Sequence, residues 1–338
     1  MSGSKTGGAE NFFERFSKSL NKDKGFSLKI LIKNNKKRSE LLLSSGLDIE
    51  QTFFKGRFDF FTKKKLNKIV RSFEPDIILT WMNRASSSLS NQRHKNEIKI
   101  GRLGGYYKLK NYVNCDYLIA NTPDIKNYII ANGWDPGKVV YIPNFVEKNS
   151  KEKASRNLLD IPSEANLIIG VGRFHPNKDF MTIINALEHL PKFYLMLVGN
   201  GVLKKEYIFH ARKKKCLNRI KFVEWTNNIS MYYNISDILV CSSTIEPLGN
   251  VILEAWAHKI PVVASDIMGP NFLIKDKING MKFNVGDENQ LAAKILEVLN
   301  KPALRDKLIL NSFNYLNDNF SEEKVIEKFK VFFKKVIS

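Results

Sequence analysis

The chain has 338 residues, of which 43% are hydrophobic and 26% charged. This composition is typical of a globular protein and excludes wholesale disorder and collagen, and at about 100–200 residues per domain the length predicts two domains. The three cysteines, Cys115, Cys216 and Cys241, are far apart and form no CxxC motif, which excludes a disulfide-stapled scaffold and favours a reducing cytoplasm. No apolar run approaches the roughly 18 residues that span a bilayer.

The net charge of the chain indicates what kind of partner it binds. There are 54 Lys and Arg residues against 34 Asp and Glu, a net charge of +20, and the excess is larger before residue 150 (27 basic, 14 acidic) than after it (27 and 20). Such an excess is typical of proteins with an anionic partner, which can be nucleic acid, an anionic membrane surface or a phosphorylated ligand. A solvated lysine surface is the alternative reading of the total charge.

In the first half, short apolar runs alternate with amphipathic stretches. Strands are predicted at residues 27–32, 76–81, 98–103, 117–120 and 139–142, and helices at residues 11–20, 61–73 and 122–132. The last helix has Thr122 as its N-cap, Pro123 at its first position and Gly133 after its end. This alternation predicts parallel sheets with right-handed crossovers.

The second half repeats the alternation after a polar linker at residues 143–156. Strands are predicted at residues 167–171, 193–198, 220–223, 238–241 and 261–264, and helices at residues 177–190, 204–215, 249–258, 287–300, 302–316 and 321–337. We therefore expect an α/β fold with a domain at residues 1–148, a second at 149–320, and a helix at 321–338 that crosses back to the first. Ligands in such sheets bind beyond the carboxyl ends of the strands.

A first candidate site, GRFHPNK, follows the predicted strand at residues 167–171. Gly172 allows a sharp turn, Arg173 offers a rigid fork suited to phosphate oxygens, and Lys178 is a point charge. We predict Lys178 on the first turn of a helix that opens at Asn177. Because a cation there opposes the helix macrodipole, the pair indicates a bound anion; two ordinary surface cations are the alternative.

A second candidate site, EPLGNVILE, runs from a predicted strand into a helix. Glu246 falls in the loop at the carboxyl edge of the sheet, and Glu254 about one and a half turns inside the helix. Gly249 permits close ligand approach, and with Asn250 and Val251 it presents amides at a helix N-terminus that favours anions. Because the helix is apolar nearly all round, the Glu254 carboxylate needs a partner, for which ligand hydroxyls are candidates.

A glycine pair, Gly7 and Gly8, stands directly before an amphipathic stretch. Glycines at a helix start can cradle a phosphate. A flexible leader would show the same pair.

Residues 167–299 resemble the retaining glycosyltransferases of family 4, which have the glycosyltransferase-B fold. The matching segments occur in family order and spacing: VGRFHPNKD, LMLVGNG, IKFVEW, YYNISDILVCSS, EPLGNVILEAWA, IPVVAS and NGMKFNVGDENQLA. The first half resembles the family more loosely, through GGAE, CDYLIANTPDIKNYII and KVVYIPNFV. The resemblance implies two doubly wound Rossmann-like domains facing a cleft.

The resemblance also implies roles. Arg173 and Lys178 match the pair that holds the donor diphosphate, and with Glu246, near the transferred sugar, they are the expected catalytic residues. Glu254 matches the glutamate that binds the ribose hydroxyls of the nucleotide. Gly8 matches the glycine loop that closes on the phosphate and the sugar. The remaining implied donor-binding positions are Gly199 and Trp225, in loops near the nucleobase, and Gly249, Asn250 and Val251 at the helix N-terminus.

The implied reaction moves a sugar, with retention, from a nucleotide diphosphate to an acceptor hydroxyl. Cationic side chains and a helix N-terminus can stabilise the leaving diphosphate, and no Asp-x-Asp motif occurs, so we expect neither a metal nor a cofactor. The leaving phosphate itself can accept the proton of the acceptor. The expected partners are a nucleotide sugar and a glycan or lipid-linked acceptor, in lipopolysaccharide or capsule synthesis on the cytoplasmic side of the membrane.

Three departures from the family pattern matter. The family often has a histidine on an N-terminal loop that faces the transferred sugar, whereas the corresponding stretch here, GRLGGYYKLK, has none. Family members begin with an apolar strand that leads into the glycine loop, whereas only MSGSKT precedes Gly7, so the first strand of the N-terminal domain is predicted to be missing. Lys259 stands where the family has a helix-ending glycine. If the left-handed conformation is kept there, it costs on the order of 1 kcal/mol.

Three alternatives remain. A nucleotide-sugar epimerase shares the two-domain fold, and an inactive nucleotide-sugar-binding protein with an incomplete first domain would keep the same motifs. A nucleic-acid binder is indicated by charge alone; because the chain has no RRM, KH, zinc-finger or basic-zipper motif, we predict no nucleic-acid partner.

The predicted helix from Phe60 to Phe73 carries an apolar stripe flanked by cations. The stripe consists of Phe60, Phe61, Leu66, Ile69, Val70 and Phe73, and the cations are Lys63, Lys64, Lys65, Lys68 and Arg71. Packing of the stripe on the sheet, with the lysines in water, is the more economical interpretation. The alternative is peripheral docking on anionic lipid, at about 1 kcal/mol for each cation near the surface.

Overall fold

A computed structural model describes residues 1–3, 7–55, 59–146, 151–226 and 228–338. The chain forms two compact units. One contains Met1–Phe145 and Glu322–Ser338, and the other contains Val146–Ser321. Residues 147–150 of the predicted linker lie outside the described residues.

Within residues 1–145, the described part of the first unit contains six parallel strands and five α-helices. The strands are β1 (Lys29–Lys33), β2 (Asp48–Thr52), β3 (Ile77–Trp81), β4 (Ile98–Leu103), β5 (Tyr117–Ala120) and β6 (Val139–Tyr141). The helices are α1 (Gly8–Asn21), α2 (Lys36–Leu43), α3 (Phe60–Phe73), α4 (Met82–Ser86) and α5 (Pro123–Ala131). The strands form two separate sheets, β1-β2 and β3-β4-β5-β6, whose pairings are all parallel.

The second unit is a single six-stranded parallel sheet with helices on both faces. Its strands are β7 (Asn166–Val171), β8 (Phe193–Val198), β9 (Ile220–Val223), β10 (Ile238–Cys241), β11 (Val262–Ser265) and β12 (Met281–Phe283). Its helices are α6 (Phe180–Ala186), α7 (Lys204–Lys213), α8 (Ser230–Tyr233), α9 (Asn250–Ala257), α10 (Met268–Leu273), α11 (Glu288–Asn300) and α12 (Pro302–Phe320). The strand order β9-β8-β7-β10-β11-β12 reverses between β7 and β10, which is the switch point where ligands bind in doubly wound sheets.

The strands of this sheet are apolar on both faces, which explains why they read as continuous apolar runs. Along β7, Ile168 packs with α6, α7 and α11 on one face, whereas Leu167 and Ile169 pack with α9 and α12 on the other. These three strand residues are fully buried. The sheet is therefore a rigid platform, and its loops carry the polar side chains.

The last helix, α13 (Glu322–Ile337), packs into the first unit. Phe329 lies 4.6 Å from Phe16 of α1, ring centroid to ring centroid, and the Lys330 ammonium lies 2.7 Å from the Asp23 carboxylate. Val331 of the same helix lies on its outer side and is 57% exposed.

Most predicted elements are confirmed within one or two residues, but one is wrong. Residues 177–190 do not form a continuous helix: Pro176–Lys178 is a short 3-10 turn, Asp179 adopts a left-handed conformation at φ 42°, and α6 begins at Phe180. Lys178 is therefore not on the first turn of an α-helix. The elements that the pattern did not predict are α2, β2, α4, α8, α10 and β12.

Candidate functional site

The predicted donor residues of the second unit follow the strands of its sheet at the carboxyl edge. Gly172 and Arg173 follow β7, Gly199 follows β8, and Trp225 lies two residues beyond β9. Glu246 lies in the loop between β10 and α9. Because the strands are parallel, all of these loops emerge at the same edge.

The loop after β7 is shaped so that the stem of Lys178 folds back onto Gly172. Gly172 has φ 153°, and a Cβ atom there would lie 3.1 Å from Cε of Lys178. The ring of His175 caps the short turn, since its Nδ1 accepts a hydrogen bond from the Asn177 backbone N–H at 3.3 Å. The Ser242 hydroxyl donates to the Lys178 carbonyl at 2.9 Å. These contacts fix Lys178 at the switch point of the sheet.

Lys178 and Glu246 form an ion pair, in which the ammonium donates to Oε2 of the carboxylate. The Ser243 hydroxyl donates to the same oxygen at 3.4 Å. Burial disfavours the charged ammonium, but the Glu246 carboxylate outweighs burial and raises the pKa of Lys178 above its usual value. The anion that joins the Lys178 cation in this structure is therefore a glutamate of the second motif.

Arg173 stays exposed at the end of β7. Its positive charge acts on Lys178 and opposes the rise in the pKa of that lysine, so the two cations lie within electrostatic reach of each other. A guanidinium exposed to solvent can offer its N–H donors to an anionic ligand.

Glu254 lies half-buried on α9, where the Tyr233 hydroxyl donates to its Oε2 at 3.2 Å. Tyr233 stacks on the ring of His258, with ring centroids 5.0 Å apart, and Nδ1 of His258 is 2.8 Å from Oδ1 of Asn234. Burial lowers the pKa of His258 to about 4, so the ring is neutral at pH 7. The carboxylate of Glu254 thus has a rigid support behind it.

The N-terminus of α9 has the predicted form. Gly249 is its N-cap at φ 91°, a left-handed conformation that suits glycine, and Asn250 and Val251 are the first helical residues. Asn250 and Val251 are half-buried. Their N–H groups belong to the first turn of the helix, the end at which the helix dipole favours anions.

Two further loops border the same edge. Gly199 sits so close to the loop after β7 that a Cβ atom would lie 1.9 Å from the Gly172 carbonyl oxygen. The Asn200 side-chain amide donates to Glu224 at 2.8 Å, which ties this loop to the one that carries the half-buried Trp225.

Gly8 belongs to the first unit, where it is the exposed first residue of α1. The N-cap of this helix is Gly7, and a Cβ atom there would lie 2.5 Å from Oε2 of Glu10, a buried carboxylate in the first turn. The glycine pair therefore does open a helix, as predicted.

Sequence reasoning missed three residues that shape the site. Ser243 contacts Glu246, Tyr233 supports Glu254, and Gly269 lets the start of α10 approach the Glu246 loop, since a Cβ atom there would lie 2.0 Å from the Glu246 carbonyl oxygen. The available signals were weak: a serine at a strand end, a tyrosine in a short helix, and a glycine before a proline.

Metal ligation and membrane crossing have no candidate in the part of the chain that the structure describes. Among the described residues, no group of three or more His, Cys, Asp or Glu side chains is placed to hold a metal ion. Within those same residues, no helix has both the length and the apolar character needed to cross a bilayer.

The second unit is a doubly wound sheet that carries two cations and a glutamate at its switch point, and comparison with known proteins identifies the family of the chain. The sequence profile of the family described as glycosyl transferases group 1 matches residues 151–315. The chain is 30% identical over 325 residues to the lipopolysaccharide core biosynthesis glycosyltransferase LpsD of Rhizobium meliloti, covering 96% of this chain and 94% of LpsD. It is 32% identical over 266 residues to LpsE of the same organism, covering 78% and 77%. The chain belongs to this glycosyltransferase family.

Solved structures agree on the fold. HepE of Anabaena, solved in complex with UDP, superposes with a TM-score of 0.83 at 19% identity and covers 99% of this chain and 98% of HepE. The lipopolysaccharide outer core galactosyltransferase WaaB superposes with a TM-score of 0.71 at 17% identity, covering 98% of each chain. The predicted glycosyltransferase-B fold is confirmed.

Proposed function

We propose that the protein transfers a sugar, with retention of configuration, from a nucleotide-diphosphate sugar to an acceptor hydroxyl in the synthesis of the lipopolysaccharide core. The observation that carries the proposal is the ion pair of Lys178 and Glu246 at the switch point of the second unit's sheet, with the charge of Arg173 acting on Lys178. LpsD and LpsE, which are named for lipopolysaccharide core biosynthesis, support the acceptor class. HepE, solved with UDP-glucose, supports a nucleotide-sugar donor.

The residues suit a diphosphate leaving group. The negative charge that develops on it is met by the exposed Arg173, by Lys178 and by the N-terminal amides of α9. Lys178 is charged at neutral pH because Glu246 raises its pKa. These groups supply the stabilisation without a divalent cation, so activity is expected to persist in EDTA.

The two glutamates have separate tasks in this proposal. Glu246, which forms an ion pair with Lys178, faces the transferred sugar. Glu254 accepts hydrogen bonds from the ribose hydroxyls, and the buried Tyr233 behind it fixes the position of its oxygen. The phosphate of the departing nucleotide takes the proton of the acceptor hydroxyl, so no side chain is needed as general base.

Substitution of Arg173 tests the donor site. Arg173→Ala should lower kcat/KM about 100–1,000-fold, because it removes a charge that acts on the transition state. Stability should stay within about 0.5 kcal/mol, since the side chain is exposed. The matched control is Arg212→Ala, which removes another exposed arginine, from α7, and should leave both quantities unchanged.

The assay measures nucleotide diphosphate release from a panel of nucleotide sugars, with and without lipopolysaccharide core acceptors, and the anomeric configuration of the product by NMR. An inverted product would refute retention. Equal activity of Arg173→Ala and Arg212→Ala would refute the assignment of the diphosphate site. Conversion of the nucleotide sugar into its epimer would instead favour the epimerase alternative.

A second element of the proposal is peripheral contact with anionic lipid through α3. Phe60 and Phe61 are 75% and 77% exposed, and Phe53 nearby is 50% exposed, whereas Ile69 and Val70 of the same stripe are buried. The exposed cations Lys64, Lys68 and Arg71 follow at helical spacing. Exposed phenylalanines beside cations are typical of interfacial helices. This contact would hold the enzyme near a lipid-linked acceptor.

Vesicle sedimentation tests this contact. Binding should rise with anionic lipid and fall with salt, and the triple reversal of Lys64, Lys68 and Arg71 to Glu should abolish it. Lys65 is left intact because it lies 3.1 Å from Glu50 and donates to the Gln51 carbonyl at 2.8 Å, so its reversal would disturb the fold. Binding that ignores salt, or that survives the triple reversal, would refute electrostatic docking.

A further inference from the structure

The carboxyl edge of the four-stranded sheet in the first unit is bordered by the segments that follow β3, β4 and β5. Helix α4 follows β3 directly, and a 3-10 turn, Leu109–Asn111, follows β4. These two segments contact each other. The carboxyl edge of a parallel sheet is where its loops bind ligands, and the donor residues after β7 and β10 belong to the other unit. A site at this edge would therefore serve a different ligand.

Arg102 is a buried cation at this edge. It is the last residue but one of β4, it is 3% exposed, and its guanidinium carbon lies 4.6 Å from the ring centroids of both Phe12 and Trp81. Its Nη2 donates to Oδ1 of Asn144, whereas among the described residues its Nε has no hydrogen-bond partner and the side chain forms no ion pair. Burial lowers the pKa of Arg102 to about 9, so the side chain is charged at pH 7. Because buried charges are normally paired, an anionic ligand is the expected complement.

Three exposed cations lie on the segments around Arg102. Arg84 belongs to α4, Lys108 precedes the 3-10 turn, and Lys110 is part of it. Lys108 follows Tyr107, whose phenol interacts electrostatically with Arg102. Within the described ranges of the chain, none of the three exposed cations forms an ion pair. Their charges and that of Arg102 therefore attract an anion to the same edge.

Two further features of this edge suit the uncharged part of a sugar. Asn121 directly follows β5 and is buried, and its Oδ1 has no hydrogen-bond partner among the residues that the structure describes, so a ligand hydroxyl can donate to it. A Cβ atom at Gly104, in the loop after β4, would lie 3.7 Å from Nδ2 of Asn121. In the same loop the ring of Tyr106 is 41% exposed, and it is held by its hydroxyl, which donates to Asp124, and by Tyr128, with ring centroids 5.3 Å apart. A fixed aromatic ring offers an apolar face to a sugar ring.

We propose that this edge of the first unit binds an acceptor sugar that carries an anionic group, either a phosphate or a carboxylate. We call it the acceptor edge and define it by Arg84, Arg102, Lys108, Lys110 and Asn121. The cations attract the anionic group, and Asn121 accepts a hydrogen bond from a hydroxyl of the same sugar. The inference rests on the proposed function, because it names the class of acceptor for that transfer. Anionic lipid headgroups share the phosphate chemistry, but the buried amide oxygen and the fixed aromatic ring favour a sugar.

Titration calorimetry tests the acceptor edge with a lipopolysaccharide core oligosaccharide that has been freed from its lipid. Three preparations are compared: untreated, dephosphorylated, and with its carboxylates reduced to alcohols. The parent should bind the untreated oligosaccharide at least about tenfold more tightly than one of the two altered preparations, which identifies the anionic group. Arg84→Gln and Lys108→Gln should each lower the affinity for the untreated oligosaccharide about tenfold and that for the altered one at most about twofold.

The matched control is Lys138→Gln, which removes an exposed lysine immediately before β6, at the opposite edge of the same sheet. It should bind all three preparations as the parent does. Asn121→Ala should weaken binding of the three preparations equally, since it removes a contact with an uncharged hydroxyl. It should not lower the melting temperature, because the Asn121 oxygen makes no hydrogen bond to any described residue.

Equal affinity of the parent for the three preparations would overturn the proposal, and so would equal losses of Lys108→Gln on the untreated and altered oligosaccharides. Sedimentation with anionic vesicles distinguishes the other source of phosphate. If Arg84→Gln and Lys108→Gln weaken vesicle binding and leave oligosaccharide binding unchanged, the edge contacts lipid headgroups and the proposal is wrong. No donor is present in the calorimetry, so its result does not depend on transfer. Failure of the donor site appears separately, as nucleotide diphosphate release that Arg173→Ala does not reduce.

Discussion

Replacing Lys178 by alanine should destabilise the second unit by about 2–3 kcal/mol. The Lys178 and Glu246 side chains are 22% and 13% exposed, so their ion pair is largely desolvated. Removing one partner of a fully buried pair costs about 3–5 kcal/mol because the other charge stays buried, and the residual exposure brings the expected value down. Glu246→Gln should cost a similar amount, about 2 kcal/mol, since it leaves a cation facing a neutral amide.

The double variant Lys178→Ala with Glu246→Gln measures how much of each single loss comes from the interaction between the two side chains. It leaves no uncompensated charge, so its loss should be about 2–3 kcal/mol rather than the 4–5 kcal/mol expected from adding the single losses. Residues without coupling add within about 0.3–0.5 kcal/mol. Additivity of the two single losses would therefore refute the reasoning.

Native-state hydrogen exchange of amides in β7 and β10 is the suitable measurement, because it reports the unfolding free energy of the second unit by itself. The experiment belongs at pH 7. The pKa of Lys178 is raised in the folded state, so the contribution of the pair is fully present below the ordinary lysine pKa near 10.5 and is lost as the pH rises through the raised value. Titration calorimetry then measures the affinity for UDP, which all three variants should bind at least tenfold more weakly than the parent.

Gly199→Ala should lower the unfolding free energy of the second unit by about 3 kcal/mol in the same exchange measurement, because its Cβ atom would lie 1.9 Å from the Gly172 carbonyl oxygen. The control Gly286→Ala in the same unit, with φ 76° and nothing within 4 Å of the added Cβ atom, should cost only about 1 kcal/mol. His258→Gln should remove a dependence of stability on pH. Because burial lowers the pKa of His258 to about 4, the parent should lose about 1–2 kcal/mol of stability, after allowance for partial exposure, as the pH falls from 7 to 5. Urea titrations of the variant at the two pH values should not show this loss. Glu254→Gln should weaken UDP binding about tenfold and leave binding of inorganic diphosphate unchanged, whereas equal losses for both ligands would contradict a ribose-binding role.

Features that depend on neighbouring residues in the chain, such as helix caps and turns, were predictable from the sequence alone. The Thr122 cap, with its side chain accepting from the Ile125 N–H at 3.1 Å, the proline that follows it and the left-handed Gly133 are all confirmed, because each depends on neighbours within a few residues. Lys259 is also left-handed, at φ 56°, as its position after α9 predicted. The strands of the second unit were predictable because strands buried on both faces read as apolar runs.

Elements at the edge of a sheet or on the surface were not predicted, because few of their side chains are buried and they show no clear apolar pattern. β2 has the sequence DIEQT and lies at the edge of a two-stranded sheet, so its side chains are mostly in solvent and show no apolar period. α2, KKRSELLL, has little amphipathic pattern and is fixed instead by Asn35, whose side chain accepts from the Arg38 N–H at 3.1 Å.

For the donor loops, too, the sequence indicated some features and only the tertiary structure decided the others. The residue types and the seven-residue spacing of the two glutamates were visible in the sequence, but the partners of Lys178, Glu246 and Glu254 were not. Lys178 lies 68 residues from Glu246, and Tyr233 lies 21 residues from Glu254. Only the order of parallel strands decides which loops become neighbours, and that order follows from burial summed over the whole sheet. The folding of the second unit therefore gave Lys178 a carboxylate partner, where its local sequence had indicated a helix N-terminus with a bound anion.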